Sequence, residues 1–527
     1  MKRRFKLCAL CCVLLLSLAG CGKEEVNFLY YTETAIKTLD PQLASTSAEL
    51  SAVKHLFSGL YRVDAEGQAV PDAATDTKIS SDGLTYTFTL DSTDVFTDGK
   101  DRSFAVTAQD YVFGLQRTVS PTTGSPYARN FLAIRGAREI LNGQADPKTL
   151  GVRAISATQL EIRLIEPDDG FLLKLASNGA MPCNKDFFED AAGTYGLTLK
   201  SIIGNGLFYL SGWGDTNGLT LRRSGEAESG EVTRLRIIPE NGDKTGFERL
   251  MDGMQDAAVI TSPSEIDQLA KKGFVQQNFE NGTCALFFNC ADRYLSSASI
   301  RRALSASASA SAALVQQTAL VDATGLIPGS ITLEGEGFRE AAGNALPDIA
   351  AAQRYATYQL GLAEVNASKL SGVTVLVPEG SNYEELFRAV NQGWQKELGA
   401  FFSIETLSLE EIEKRMATGK YDIALYPYTV TENDPAALLQ QFMTGNAANV
   451  TGFTDAEFDA LLSQAFLATG NTQSRAYIAA EKELLWQAPV APLKFQTSSF
   501  FTSAKLSGLV ADPFGPVLDV SSAVFKS

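Results

Sequence analysis

Histidine is the residue type most often used as a general base, and this chain of 527 residues contains only one, His55. A Ser-His-Asp triad would have to use His55, and the sequence has no GxSxG, HExxH or paired CxxC motif. His55 lies in an apolar run, residues 50–60, whose spacing predicts a helix. We therefore interpret His55 as a packing residue and expect no catalytic residue.

Thiols are the next candidates for chemistry. After residue 20 the cysteines are Cys21, Cys183, Cys284 and Cys290, too few for a disulfide framework. Cys284 and Cys290 flank an apolar run that predicts a strand, which would hold them about 20 Å apart. They cannot form a disulfide within that strand, so we expect buried free thiols.

Carboxylates are abundant, and the formal net charge is −16 at pH 7. Among 61 acidic residues, pairs of carboxylates occur by chance and are weak support for a hydrolase. An acidic surface repels nucleic acid and anionic lipid, so we expect no nucleic-acid partner. With one histidine and few thiols, we also expect no metal and no cofactor.

The N-terminus indicates where the protein works. A basic start at residues 2–6 is followed by an apolar run, residues 7–16, which is too short to span a bilayer. Small residues follow, and this order is typical of a secretory signal peptide. The closing sequence LAGC resembles the lipobox of bacterial lipoproteins, which implies lipid modification of Cys21. An ordinary signal peptide with a cysteine near its cleavage point is the alternative.

The first half of the chain contains short predicted strands and two predicted helix caps. Residues 26–31 and 84–90 have the composition of strands, and the second alternates apolar residues with threonine. One of Ser45, Thr46 and Ser47 is expected to cap the helix that contains His55. Thr107 is expected to cap a helix that ends before Pro121.

Two stretches of small residues require separate interpretations. Gly204 and Gly206 would allow close backbone approach, and a phosphate loop is disfavoured because no Lys-Ser/Thr follows. Residues 305–313 alternate serine and alanine. They are compatible with a tightly packed helix or with a degenerate surface helix, and the choice stays open.

The second half alternates strands and helices. Residues 373–377 and 421–426 are predicted strands, and residues 383–398 and 409–418 are predicted helices. Short connections between them favour a parallel or mixed α/β lobe.

A series of short motifs, in order and with consistent gaps, carries a family resemblance. The motifs are LDP at 39–41, HLFSGLY at 55–61, ISSDGLTYTFTL at 79–90, FTDG at 96–99 and TAQDYVF at 107–113. In this series the chain resembles the bacterial extracellular solute-binding proteins of family 5, the oligopeptide- and dipeptide-binding components of ABC importers. A departure follows at residues 221–224, where Leu-Arg-Arg-Ser replaces the usual Asn-Pro-x-Tyr.

The resemblance implies an α/β fold of the periplasmic-binding-protein type, in the large three-lobed class with two lobes around a hinge and an inserted domain. It implies a signal peptide at 1–20 and a tether at 21–26. Domain I would be discontinuous, made of 27–66, 199–280 and 496–527, with domain II inserted at 67–198. Domain III would be 281–495.

The resemblance also places the ligand site. In relatives the ligand lies extended between two walls and pairs with backbone on both sides. The corresponding residues here are Ala44, Ser45, Thr46 and Ser47 on one side and Pro427, Tyr428, Thr429, Val430 and Thr431 on the other. Solvated loops with no ligand are the alternative for both walls. Tyr127 resembles an aromatic residue that covers the ligand, although it could equally be a packing residue. The hinge is expected to include Phe288, Asn289 and Phe495.

One departure concerns the ligand's amino terminus. Peptide-binding relatives often place an aspartate where this chain has Thr431, to pair with the ligand's α-ammonium group. Either Glu432 or Asp434 takes over that role, or the ligand is longer, blocked at its amino terminus, or not a peptide. Asp434 is also expected to cap the helix that begins at Pro435.

The predicted protein is therefore a monomeric, lipid-anchored binding protein on the outer side of the cell membrane, at a Gram-positive surface or in a periplasm. It would capture an extended solute, first of all a peptide, and deliver it to the permease subunits of an ABC transporter. The alternatives are an oligosaccharide or a chelated metal as ligand, a sensor or adhesion lipoprotein that no longer transports, and, last, a surface hydrolase.

Overall fold

The structure is a computed structural model. It describes residues 25–32, 35–64, 68–168, 170–214, 218–317, 319–333, 336–346, 352–365, 367–430, 433–446, 448–468, 470–512 and 517–526. The predicted signal peptide and Cys21 lie outside these residues. Within the described part of the chain, every helix is too short or too polar to cross a bilayer.

The chain begins in a four-stranded sheet, which we call the first sheet. Its order is β1-β12-β11-β10, with β1 parallel to β12 and the other neighbours antiparallel. The strand predicted at residues 26–31 is confirmed as β1. The bounds are β1 (Asn27–Thr32), β10 (Phe208–Gly214), β11 (Gly218–Arg223) and β12 (Arg234–Pro239).

The second sheet is antiparallel, in the order β4-β5-β9-β8. The strand predicted at residues 84–90 is confirmed as β5, because Tyr86, Phe88 and Leu90 are buried and the threonines between them are half-buried. The bounds are β4 (Ala74–Ile79), β5 (Thr85–Leu90), β8 (Val152–Ser156) and β9 (Gln159–Arg163).

The large sheet has the order β13-β21-β14-β20-β18-β19, and β15 also pairs with β21. Its two longest strands, β14 and β21, form one antiparallel ladder. The alternation of strands and helices predicted for the second half is confirmed. The bounds are β13 (Ala257–Ile260), β14 (Val275–Phe288), β15 (Leu320–Asp322), β18 (Thr374–Pro378), β19 (Ser403–Leu407), β20 (Ile423–Thr429) and β21 (Val490–Thr502).

Helices cover these sheets, and short strands form separate two-stranded ribbons. The helices are α1 (Ser47–Leu56), α2 (Ala108–Val119), α3 (Ala137–Leu141), α4 (Phe171–Leu175), α5 (Lys185–Asp190), α6 (Gly246–Met251), α7 (Pro263–Lys271), α8 (Ala298–Ala312), α9 (Phe338–Ala342), α10 (Ala352–Leu362), α11 (Ser381–Gly393), α12 (Leu409–Ala417), α13 (Pro435–Leu439), α14 (Ala456–Leu467) and α15 (Gly470–Gln487). The ribbon strands are β2 (Tyr61–Val63), β3 (Ala69–Pro71), β6 (Val95–Thr97), β7 (Ser103–Ala105), β16 (Thr332–Leu333), β17 (Glu336–Gly337), β22 (Leu506–Ser507), β23 (Val510–Ala511), β24 (Leu518–Asp519) and β25 (Val524–Phe525).

The hydrophobic core consists of separate clusters of buried side chains, and the first two sheets share the largest of them. The first and second sheets share one continuous cluster of buried side chains, which extends from Phe28 to Ala523. The large sheet has a separate cluster on each face, one containing Leu286 and the other Phe287. Because successive side chains of a strand point to opposite faces, β14 contributes to both clusters. We keep the domain boundaries predicted from the sequence as a proposal.

The alternating serine and alanine residues form most of α8, which is a tightly packed helix. A Cβ atom on Gly393 of α11 would lie 1.9 Å from Ser311 Oγ, so only glycine fits this helix contact. The Trp394 indole donates a hydrogen bond to the Leu304 carbonyl at 2.9 Å. Small side chains let neighbouring helices approach α8 closely, and the surface-helix alternative is therefore wrong.

The close backbone approach predicted at Gly204 and Gly206 is confirmed. Added Cβ atoms would lie 1.9 Å from the Leu56 carbonyl oxygen and 2.4 Å from that of His55. Between the two glycines, Asn205 accepts a hydrogen bond from the Ser58 N–H at 3.0 Å. The segment after the second sheet is thus fixed to the end of α1.

His55 is fully buried and packs edge to face against Phe208, as expected of a packing residue. Its Nε2 accepts a hydrogen bond from the Val520 N–H at 2.9 Å, and its Nδ1 lies 2.6 Å from the Ser51 carbonyl oxygen. The contact with the Val520 N–H requires Nε2 to be an acceptor, and the contact with the Ser51 carbonyl requires Nδ1 to be a donor. The ring is therefore neutral, with its proton on Nδ1. Burial lowers the pKa of His55, although nearby Asp519 raises it.

The lowered pKa of His55 predicts a pH dependence of stability. The unfolded chain binds a proton at His55 near pH 6.5 and the folded chain only at lower pH, so stability falls as pH drops below about 6.5. The slope of the free energy of unfolding against pH that His55 contributes is at most about 1.4 kcal/mol per pH unit. We expect His55→Gln, whose amide oxygen can still accept from the Val520 N–H, to remove this contribution. The measurement is the free energy of unfolding in urea between pH 5 and 7.5. Parallel curves for the two proteins would contradict the prediction.

Candidate functional site

The first wall is the loop that precedes α1. Thr46 is the N-cap of α1, which confirms the predicted cap, and its hydroxyl accepts from the Glu49 N–H at 3.3 Å. The Glu49 side chain is buried, and its carboxylate accepts hydrogen bonds from four further backbone N–H groups. Its Oε1 accepts from Lys37 and Thr38 at 2.9 and 3.2 Å, and its Oε2 accepts from Ser45 and Thr46, both at 3.1 Å.

These hydrogen bonds fix the charge of Glu49 as well as the loop. Burial alone would raise the pKa of the Glu49 carboxyl, but the four backbone donors hold it below its usual value. Ser45 is exposed, and Thr46 and Ser47 are half-buried. The first wall is therefore rigid, and its hydroxyl side chains remain accessible.

A buried ion pair anchors the same loop to the second sheet. The Arg117 guanidinium on α2 donates to both carboxylate oxygens of Asp40, at 3.1 and 2.5 Å. It also donates to Gln42 Oε1 at 2.5 Å and lies 4.1 Å from the ring centre of Phe188. The sequence analysis did not identify Arg117. Its one signal is a single cation within a helix that is otherwise mostly apolar.

Tyr127 contacts the first wall directly. Its hydroxyl donates to the Ala44 carbonyl at 2.5 Å, and its Cβ would lie 2.5 Å from a Cβ added to Gly179. The structure therefore brings Tyr127 together with the residues of the first wall. A role in covering a ligand stays a prediction.

The second wall is the end of β20. Tyr428 is half-buried and Thr429 is exposed, and the next N–H, of Val430, donates to the Asn281 carbonyl at 2.8 Å. Thr431 and Glu432 lie outside the described residues. Their predicted roles toward a ligand's amino terminus remain predictions.

The chain after the second wall is held in place by two side chains. Asp434 accepts from the Ala436 N–H at 2.8 Å and caps α13, as predicted. Asn433 accepts from the Thr332 N–H at 2.8 Å and donates to the Thr332 hydroxyl at 2.7 Å. The sequence analysis missed the Asn433–Thr332 pair, because nothing local relates residues 101 positions apart.

Charges that lie near the two walls in the sequence both act on the Tyr477 hydroxyl. Burial raises the pKa of this hydroxyl, the charge of Asp434 raises it further, and the charge of Arg129 lowers it. Both charges are therefore within electrostatic range of one side chain. Arg129 follows Tyr127, which contacts the first wall, by two residues, and Asp434 lies in the loop after the second wall.

Of the residues predicted for the hinge, Phe495 lies in the ladder of β14 and β21, whereas Phe288 and Asn289 lie at the end of β14. Phe495 of β21 is buried opposite Thr283. Phe288 ends β14 and is fully buried, and the Asn289 side chain donates to the Tyr421 carbonyl at 2.8 Å. The structure therefore places Phe288 and Asn289 at the far end of β14, apart from Phe495. Their participation in a hinge stays a prediction.

Two irregularities interrupt this ladder. The register shifts between Glu280 and Gly282 and again between Cys284 and Ala285. Shifts of this kind bend and twist a strand pair locally. Phe495 lies between them in register, opposite Thr283, where the ladder is least regular.

The three cysteines in the part of the chain that the structure describes, Cys183, Cys284 and Cys290, are free thiols. Cys183 and Cys284 are fully buried, and burial raises the pKa of each thiol to about 12. Cys290 is only partly buried, so the expectation of a buried thiol is correct for Cys284 alone of that pair. Among the described residues, no three His, Cys, Asp or Glu side chains are grouped so that they could hold a metal ion.

A shallow depression of about 340 Å³ lies away from both walls, at the opposite end of β20. Its lining includes Asp292, Glu405, Arg415 and Asp422. Arg415 is paired with Glu405 at 2.7 Å, and Asp422 accepts from the Thr374 N–H at 2.8 Å. Because these groups already have partners, the depression is a weak candidate site.

Comparison with known proteins identifies relatives along most of the chain. The model for "Bacterial extracellular solute-binding proteins, family 5 Middle" matches residues 68–449. Oligopeptide-binding protein OppA of Bacillus subtilis (strain 168) is 25% identical over 558 residues, covering 100% of each chain. The probable deoxycholate-binding periplasmic protein YgiS of Escherichia coli (strain K12) is 26% identical over 490 residues, covering 89% of this chain and 88% of that protein.

A solved structure has the same fold. The pheromone receptor PrgZ, described with its mode of peptide binding, matches with a TM-score of 0.70 at 22% identity, covering 96% of this chain and 100% of that one. The match confirms the predicted fold class, an α/β fold of the periplasmic-binding-protein type.

The buried ion pair of the first wall predicts a large effect of one substitution. Arg117→Met leaves the Asp40 carboxylate buried without its cation, and we expect a loss of about 3–5 kcal/mol in the free energy of unfolding. The matched control is Arg415→Gln, which removes a more exposed pair with Glu405 and should cost less than about 1 kcal/mol. Urea denaturation measures both. Equal losses in the two variants would contradict an anchoring role for Arg117.

Proposed function

The chain belongs to the bacterial extracellular solute-binding proteins of family 5, and we propose that it captures an extended peptide between the two walls of its cleft. The observation that carries the proposal is the open edge of β20. This strand pairs with β14 from Ile423 to Thr429, but with β18 only at Ile423 and Ala424 within the described residues. Beyond Ala424 this edge has no paired strand among the described residues, and an extended peptide can add to it as a further strand.

Closure of the cleft is the proposed mechanism. The first wall belongs to the core shared by the first two sheets, whereas the second wall is paired directly to β14. A ligand that contacts both walls favours the conformation in which they are close, and this is how binding would shift the population of closed molecules. The closed, loaded protein would then release its peptide to the permease of an ABC importer, without catalysing a reaction.

A lipid on Cys21 is the proposed anchor, with the protein as a monomer on the outer side of the membrane. Glu25 is the first described residue, and it pairs with Arg222 and Arg234 at 2.5 and 2.7 Å. Glu25 lies four positions after Cys21, so the folded part would begin within about 14 Å of the anchored cysteine.

A second candidate function is capture of a non-peptide solute. Two observations favour it: Thr431 stands where peptide-binding relatives often have an aspartate, and one relative is named as probably deoxycholate-binding. The fold and the closing mechanism would be the same, and only the chemistry of the ligand would differ.

Native mass spectrometry separates the two candidates. The chain from residue 22 onward, purified from cells grown in rich medium, is measured before and after mild unfolding. We expect a heterogeneous set of bound masses that fit short peptides, and unchanged masses after incubation because the protein is not a hydrolase. A clean unliganded mass that no peptide pool shifts would overturn the peptide proposal and favour a non-peptide solute.

The lipid anchor is tested separately in cells. We expect the Cys21→Ala protein to incorporate no labelled fatty acid and to be absent from the membrane fraction. The reason is that no other residue supplies a thiol at the cleavage point. Cys183→Ala is the matched control and should behave as the parent protein, since that thiol is buried. Fatty-acid labelling that survives Cys21→Ala would contradict the proposed anchor.

A further inference from the structure

One face of the first sheet carries three arginines. Arg222 of β11 lies directly opposite Arg234 of β12, and Arg236 lies two residues further along β12. Residues two apart in a strand point to the same face, and so do directly opposite residues of an antiparallel pair. The three guanidinium groups therefore belong to a single surface, which we call the arginine face.

The arginine face is the side of the sheet that points away from the shared core. Leu221, Leu235 and Ile237 alternate with the arginines along the strands, and all three are buried in that core. The arginines themselves are half-buried, with 39% of the Arg222 side chain and 30% of the Arg234 side chain exposed. Their stems pack on the sheet while their charged ends can reach a second surface.

The positive charge of this face is only partly balanced. Glu25 pairs with both Arg222 and Arg234, at 2.5 and 2.7 Å, whereas Arg236 forms no ion pair with any described residue. Three guanidinium groups and one carboxylate leave the face positive, although the net charge of the chain is −16. Like charges directly opposite each other in a sheet repel, so this arrangement costs stability unless an outside anion compensates for it.

The tether joins the folded chain at this same face. Glu25, which bridges two of the arginines, lies four positions after Cys21. Four residues span at most about 14 Å. A lipid on Cys21 would therefore keep the arginine face close to the membrane surface, where a high local concentration makes weak contacts effective.

We propose that the arginine face lies against the phosphate groups of anionic phospholipids in the membrane that holds Cys21. Guanidinium groups form paired hydrogen bonds with phosphate oxygens, and an anionic bilayer attracts cations within about one Debye length, about 8 Å at physiological salt. The repulsion of anionic lipid expected from the composition applies to the acidic remainder of the protein, which this contact would turn away from the bilayer. The inference rests on the proposed lipid anchor and adds an orientation to it.

The test is arginine labelling of the lipidated full chain on vesicles. Protein purified from membranes is inserted into preformed vesicles of phosphatidylcholine, or of an equal mixture of phosphatidylcholine and phosphatidylglycerol. Phenylglyoxal then modifies accessible guanidinium groups, and peptide mass spectrometry measures the rate at each arginine. We expect the three arginines of the face to react about fivefold or more slowly on the anionic vesicles. The difference should vanish at about 1 M salt, where the Debye length falls to about 3 Å.

Arg415 is the matched control site. Its side chain is 29% exposed and pairs with Glu405 at 2.7 Å, much as Arg234 pairs with Glu25, but it lies on α12 beside the large sheet. It should react at the same rate on both kinds of vesicle. Equal rates at the arginine face on both kinds would overturn the inference while leaving the anchor intact. Equal slowing by inorganic phosphate on neutral vesicles would indicate a site for the free ion and would also overturn it. Protein that does not float with either kind of vesicle would remove the proposed anchor, and the inference with it.

A variant tests whether charge holds the face to the membrane. Arg236→Gln removes a cation that has no partner among the described residues, so the bridge from Glu25 stays in place. Each cation near an anionic surface strengthens attachment about fivefold, so most of the slowing at Arg222 and Arg234 should disappear. Arg415→Gln is the matched control and should leave that slowing unchanged. Undiminished slowing at Arg222 and Arg234 in the Arg236→Gln protein would contradict the inference.

Discussion

The ladder between β14 and β21 is the constraint on which the rest of the structure depends. It runs from Val275 paired with Thr502 to Phe287 paired with Val490, and it joins the chain's two halves. Because β20 is paired to β14, the position of the second wall follows from this ladder. The two register shifts concentrate twist within a few residues of this ladder.

Buried charges in this protein hold loops in place. Arg117 and Asp40 fix the first wall, and Glu481 of α15 does the same for another loop. Glu481 is fully buried, pairs with Arg339, and accepts from the N–H groups of Leu326 and Ile327, both at 2.9 Å. A buried pair adds little net stability, because desolvation offsets the attraction, but it permits only one arrangement of the groups that share it. The first wall and the loop at residues 326–327 are therefore each specified by a few charged contacts.

Much of the fold could be predicted from the sequence, because local patterns determine it. The alternation in β5, the caps at Thr46 and Asp434, and the close approach at Gly204 all follow from residue types within a few positions. The contacts that hold the site could not be predicted in the same way. The Asp40–Arg117 and Thr332–Asn433 pairs join residues far apart in the chain, and polar residues of these types are common on surfaces. The serine and alanine tract was ambiguous because small residues suit both close packing and exposure.

The contact between His55 and Val520 also affects when the protein can finish folding. The two residues are 465 positions apart, so α1 is synthesised long before the segment that completes its burial. The Leu518 N–H donates to the Ser51 hydroxyl of the same helix at 2.9 Å. Two successive turns of α1 therefore make their buried hydrogen bonds to the same late-synthesised segment. The core of the first sheet therefore cannot be complete until residues 518–520 are present, although its first strand is made first. The loop that these contacts close spans most of the chain, and closing so long a loop costs entropy and slows folding.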